Sequence, residues 1–139
     1  MRRLAIGAIG TIAALLVLAL PAPASFDPHF AVITKNVESH QDGDRTRFRD
    51  KLIQVGNRDN QIGRLQGHCR EHRRKFRCKV LAHLNGEVGG AGFLRINGNL
   101  GPHDQRLNVV GGTGDFVGVA GKAVLAGPRG ARVELSLVR

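Results

Sequence analysis

Two carboxylates, two cysteines and a run of cations are the residues of this chain that could do chemistry. Asp50 lies in phase with Phe48 and Leu52 in an alternating stretch, which points its side chain toward the apolar face of a strand. A carboxylate buried there would have a raised pKa and could serve as a general acid or base. The alternative is a structural Asp accepting backbone hydrogen bonds near a strand end. Asp115 follows Gly114, and Gly-Asp is good turn chemistry as well as a candidate catalytic position. No spacing resembles a Ser-His-Asp or Cys-His nucleophile arrangement, and no cofactor is expected. His68 and His72 are poor metal ligands, since their cross-strand neighbours are expected to be cations; no metal site is expected.

The cysteines and the cations share one segment. Leu65, Gly67 and Cys69 alternate along one strand, and Phe76, Cys78, Val80, Ala82 and Leu84 along the next. If Cys69 stands opposite Cys78, the turn falls at Arg73-Arg74, and a cross-strand disulfide is feasible on the apolar face. Two free buried thiols are the other reading; an even cysteine count in an oxidising compartment favours the bond. The same register sets His68, Arg70 and His72 opposite Lys79, Arg77 and Lys75 on the outer face. Arg70, Arg73, Arg74, Lys75, Arg77 and Lys79 then form a basic tip. It is either a solvated surface or an anion-binding patch, although like charges directly opposite one another are unfavourable.

The elements that must position these residues are strands. Apolar and polar residues alternate after residue 25, and Gly, Asn and Asp interrupt them often. Eight strands are expected at Phe30–Val37, Thr46–Val55, Gln61–Arg70, Phe76–Leu84, Glu87–Asn97, Gln105–Val110, Phe116–Ala126 and Ala131–Val138. Turns are expected at Gln41-Asp42-Gly43-Asp44, at Gly56 to Asn60, at Asn85-Gly86 as a type I′ hairpin, and at Gly127-Pro128-Arg129-Gly130. Eight antiparallel strands with short connections suggest an all-β, closed eight-stranded barrel, with a two-sheet sandwich as the alternative.

The first residues read as an address. Arg2 and Arg3 precede an uncharged apolar run, Leu4 to Leu20, and Pro21-Ala22-Pro23-Ala24 supplies the small residues of a signal-peptidase site. Cleavage after Ala24 is expected, leaving residues 25–139 as one domain; a retained anchor is the competing reading, but the run is short for a membrane span. The formal charge is +10, and losing Arg2 and Arg3 leaves +8 on the mature chain. That basicity favours anionic partners such as a cell-surface polymer. The chain has no Trp and no Tyr, which argues against nucleic acid, since single-strand binders offer stacking aromatics.

Two motifs carry a family resemblance. Ile62-Gly63-Arg64-Leu65-Gln66-Gly67 and Val109-Val110-Gly111-Gly112-Thr113-Gly114-Asp115-Phe116, together with Phe48, Asp50 and Leu52, resemble the dirigent proteins and the related allene oxide cyclase barrels. The resemblance spans roughly Phe30 to Leu125. It implies an eight-stranded antiparallel barrel with a mostly apolar cavity, homo-oligomers, and cofactor-free steering or cyclisation of an apolar substrate by orientation. Asp115 coincides with the acidic residue that follows Gly-Gly-Thr-Gly in many dirigent proteins. Where that family continues with Ala-Arg-Gly, this chain has Val119-Ala120-Gly121. Gly111, Gly112 and Gly114 are expected to be structural, permitting a turn or bulge.

Two functions of different class follow. One is an exported binding protein that takes a small apolar ligand inside the barrel or an anionic polymer on its basic surface. The other is a cofactor-free cyclase, isomerase or steering protein acting on an apolar substrate. Export favours the first.

Overall fold

The computed structural model describes residues 26–127 and 131–139, and the segment read as a signal peptide lies outside them. Eight strands follow in chain order: β1 (His29–Asp42), β2 (Arg45–Gln54), β3 (Asn57–His72), β4 (Lys75–Asn85), β5 (Ala91–Leu100), β6 (Arg106–Gly112), β7 (Ala120–Ala126) and β8 (Arg132–Val138). Each pairs antiparallel with its successor, and β1 pairs with β8 to close the barrel. Closure satisfies the strand edges that an open sheet would leave unpaired.

The alternation in the sequence sets which wall each side chain faces. Leu52, Ile62, Leu84, Leu94, Phe116 and Leu137 point inward and are at most 2 % exposed, and they belong to one apolar cluster fed by every strand. No charged or polar residue is buried with them among the described residues. A 3-10 turn (Gly114–Phe116) between β6 and β7 delivers Phe116 to one end of this core, its ring 6.5 Å from that of Phe30. At the other end the strands are uneven. β1 runs to Asp42 but pairs with β8 only from His29 to Ile33, so the β1–β2 and β3–β4 hairpins overhang the β8 edge.

Cys69 and Cys78 are bonded, with S–S 2.04 Å and Cα–Cα 4.1 Å, the short spacing of a directly opposed, non-hydrogen-bonded pair. They are partners in the β3–β4 register, and the turn between falls at Arg73-Arg74. Both arginines take positive φ, 50° and 65°, the pairing a type I′ hairpin demands and one that Asn-Gly usually supplies.

Three local expectations change. Asn85-Gly86 does not make a tight hairpin: β5 begins at Ala91, not at Glu87. The intervening loop carries Gly89 and Gly90 against the barrel floor, and a Cβ on Gly89 would lie 2.6 Å from the Phe30 ring. Packing against rings has overridden the local turn signal. β3 starts at Asn57, so the β2–β3 turn is the two residues Val55-Gly56 rather than a loop to Asn60. The expected strand Phe116–Ala126 is a 3-10 turn at its start and a strand only from Ala120, because Phe116 leaves the wall to fill the core.

No helix among the described residues is long and apolar enough to cross a membrane.

A basic trough on the outer wall

Every second residue of β2 faces outward, and the sequence there reads Arg45, Arg47, Arg49, Lys51. The register aligns these cations with those of β3 and β4. Arg45, Arg70 and Arg77 are successive cross-strand partners, as are Arg47, His68 and Lys79. Lys35, Lys51 and Arg64 form a third such row from β1 to β3. Adjacent strands lie about 4.8 Å apart, and outward residues along one strand about 7 Å apart. The outer wall is therefore a lattice of positive charge.

A trough of about 750 Å³ crosses this lattice from β1 to β6. One side is the row His40, Arg47, His68, Lys79 and Asn97; the other is Glu38, Arg49, Gln66, Leu81 and Arg95. Between them the floor is the stretch where Phe48, Val80 and Ile96 turn their side chains into the barrel and Gly67 presents bare backbone. A second, parallel trough of about 480 Å³ includes Arg49, Lys51, Arg64, Leu81, His83 and Phe93, where the His83 and Phe93 rings lie 4.5 Å apart.

Negative charge is sparse on this face. Arg49 meets Glu38 and Arg70 meets Asp44, each at 3.7 Å with both partners more than half exposed, contacts of small worth in water. His68 sits mid-lattice, and its pKa is lowered. Burial of the ring contributes most, and the charges of Arg45, Lys79, Arg47 and Arg70 follow.

The basic tip divides between two positions. Arg70, Arg77 and Lys79 belong to the lattice, while Arg73, Arg74 and Lys75 stand at the hairpin end. The contribution of β2 was missed by sequence reasoning. Its signal was present: four cations at strict two-residue spacing, on a strand whose alternate residues Phe48 and Leu52 face the core.

The two candidate carboxylates are not brought together. Asp50 is half-buried on the inward phase of β2 and accepts a hydrogen bond from Asn36 Nδ2 at 2.8 Å; it is not sealed in the core. Asp115 Oδ2 accepts from the Ala91 backbone N–H at 2.8 Å, tying the 3-10 turn to the start of β5. Gly111 lies opposite Arg95 beside a bulge at Val110. A Cβ on Gly112 would meet Phe116 Cβ at 2.6 Å, and Gly114 opens the 3-10 turn at φ 61°. Among the described residues no three His, Cys, Asp or Glu side chains gather as a metal site.

No protein-family model matches the chain, and no curated protein does. Among solved structures it is similar to a pyocyanin demethylase, with a TM-score of 0.62 at 22% sequence identity. The alignment covers 79% of this chain and 99% of that one. The likeness is one of fold: a barrel.

Proposed function

We propose that this chain is an exported barrel protein that binds an anionic polymer across its outer wall. The observation that carries the reading is the cation lattice of β2, β3 and β4. Like charges directly opposite one another on a sheet destabilise it by roughly 0.2–1 kcal/mol per pair. Here Arg45, Arg70 and Arg77 stand in one row and Lys35, Lys51 and Arg64 in another, with Arg47 and Lys79 on either side of His68 between them. A partner that neutralises these charges turns that repulsion into affinity. The hairpin tip supports the same reading: Arg73 and Arg74 hold a left-handed backbone that costs about 1–2 kcal/mol per non-glycine residue. Outliers of this kind gather at functional sites.

The dirigent-like scaffold fits this role better than it fits steering or cyclisation of an apolar substrate. The apolar cluster draws side chains from every strand, which favours a site on the wall over one within. Asp115 is engaged with the β5 backbone, a structural duty rather than an acid–base one.

The test is chromatography of the mature protein on immobilised heparin, a sulfated polymer, across a salt gradient. The expected result is retention beyond physiological salt, with the Arg47→Glu/Lys79→Glu double variant eluting well before the parent. Elution of parent and variant together, or no retention at all, would refute the reading.

A further inference from the structure

His68 is the middle outward position of the row that crosses β2, β3 and β4, and it is the one of the three that is not permanently charged. It lies between Arg47 of β2 and Lys79 of β4, each its direct cross-strand partner. Arg45 and Arg70 flank it toward the hairpin tips, and Gln66 lies on the other side of the trough. From β1, His40 stands opposite Arg47, and Glu38 is engaged by Arg49. Every charged neighbour acting on the imidazole is a cation.

We propose that Arg47, His68 and Lys79 form a seat for one tetrahedral oxyanion, a phosphate or sulfate ester of the bound polymer, and that His68 takes up a proton as that group binds. This rests on the anionic-polymer reading above and adds a position and a regulation to it. The spacing suits the role. Arg47 and Lys79 are two strand positions apart, about 10 Å at the backbone, and long side chains from either side reach one anion held above the ring between them. In the free protein partial burial, and after it the surrounding cations, lower the imidazole pKa and favour the neutral ring. An anion placed over it reverses the sign of the local field, so the protonated ring becomes the stable form and donates an N–H to the oxyanion. Proton uptake and binding are linked, so affinity rises as pH falls through the imidazole range.

Affinities for heparin and for long-chain inorganic polyphosphate would be measured at about pH 5.5 and about pH 8, on either side of the imidazole range. The proteins are the mature chain, His68→Gln, and His72→Gln as a histidine at the hairpin tip. The imidazole pKa of His68 would be followed by NMR with and without polymer. The expected result is an affinity about fivefold or more higher at the acid pH for at least one polymer. That ratio collapses in His68→Gln and survives in His72→Gln, and the His68 pKa rises on binding. Enhancement with both polymers assigns the shared oxyanion chemistry, and enhancement with one assigns its ester class. Binding whose acid enhancement is the same in His68→Gln, or a His68 titration unmoved by polymer, overturns the seat and leaves the anionic-polymer reading standing. Absence of binding to either polymer at either pH overturns both.

Discussion

The inner and outer walls of β2, β3 and β4 are built from the same strands, one residue apart, and have almost nothing in common. Inward, Leu52, Cys78, Ala82 and Leu84 are nearly inaccessible. Outward, Arg47, Arg49, Arg70 and Lys79 are exposed; Arg70 faces Arg45 and Arg77 across the sheet, and Lys51 faces Lys35 and Arg64. The inner wall is organised for burial, which dominates stability. The outer wall carries rows of like charge, Arg45, Arg70 and Arg77 in one and Lys35, Lys51 and Arg64 in another. On the proposed function, the difference separates stability from recognition in this barrel, and each prediction below attacks one wall while watching the other.

The largest effect is expected on the inner wall. Phe116→Ala removes a fully buried ring from the core and should cost about 3–5 kcal/mol in denaturant unfolding. Polymer affinity of the folded fraction should stay at the parent value; a parallel loss of affinity would mean that the ligand reaches the interior. Next is the staple. Cys69→Ser/Cys78→Ser opens a short loop and should destabilise by about 2–3 kcal/mol.

Effects on the outer wall are smaller in stability and larger in binding. Arg47→Glu/Lys79→Glu should weaken polyanion binding by at least about tenfold, roughly 1.4 kcal/mol. Unfolding should shift by no more than about 0.5 kcal/mol, because the residues are exposed. Arg73→Asn/Arg74→Gly gives the type I′ turn its preferred residues and should stabilise the protein by about 1 kcal/mol while lowering polymer affinity. A variant that gains stability with undiminished affinity would separate the tip from the site.

The smallest effect is on pH dependence. His68 has a lowered pKa in the folded protein, by burial first and neighbouring cations second. The unfolded chain therefore binds more protons as pH falls below about 6.5. This contribution to stability is full above that pH and is lost on acidification. Thermal melts at about pH 5 and about pH 7.5 should show a smaller acid loss in His68→Gln than in the parent.

Much of this was legible in the sequence. Alternation over Leu65–Leu84 puts Cys69 and Cys78 on one apolar face, and pairing them sets the turn at Arg73-Arg74, as found, because one apolar face admits few registers. The floor was not legible. Asn85-Gly86 has a strong local hairpin signal, yet its loop instead carries Gly89 and Gly90 to the rings of Phe30 and Phe116, a contact between residues far apart in the chain. The trough lay between these cases. The cations of β3 and β4 were visible as a cluster, but Arg45, Arg47 and Arg49 join them only through the β2–β3 pairing, which the pattern within either strand does not reveal. Asp50 has the phase of an inward residue, but the overhang of β1 and β2 beyond β8 leaves it half-buried beside Asn36.

The central claim is that the partner lies on the outer wall. It is tested most directly by lysine acylation footprinting of the chain from residue 25 onward, with and without saturating heparin. Lys79 lines the trough, whereas Lys122 lies on β7 beside Asn108, and each reports its own side of the barrel. The account predicts that heparin strongly slows modification of Lys79 and leaves Lys122 unchanged. Equal protection of both lysines, or a Lys79 that reacts as fast with polymer as without it, would contradict it.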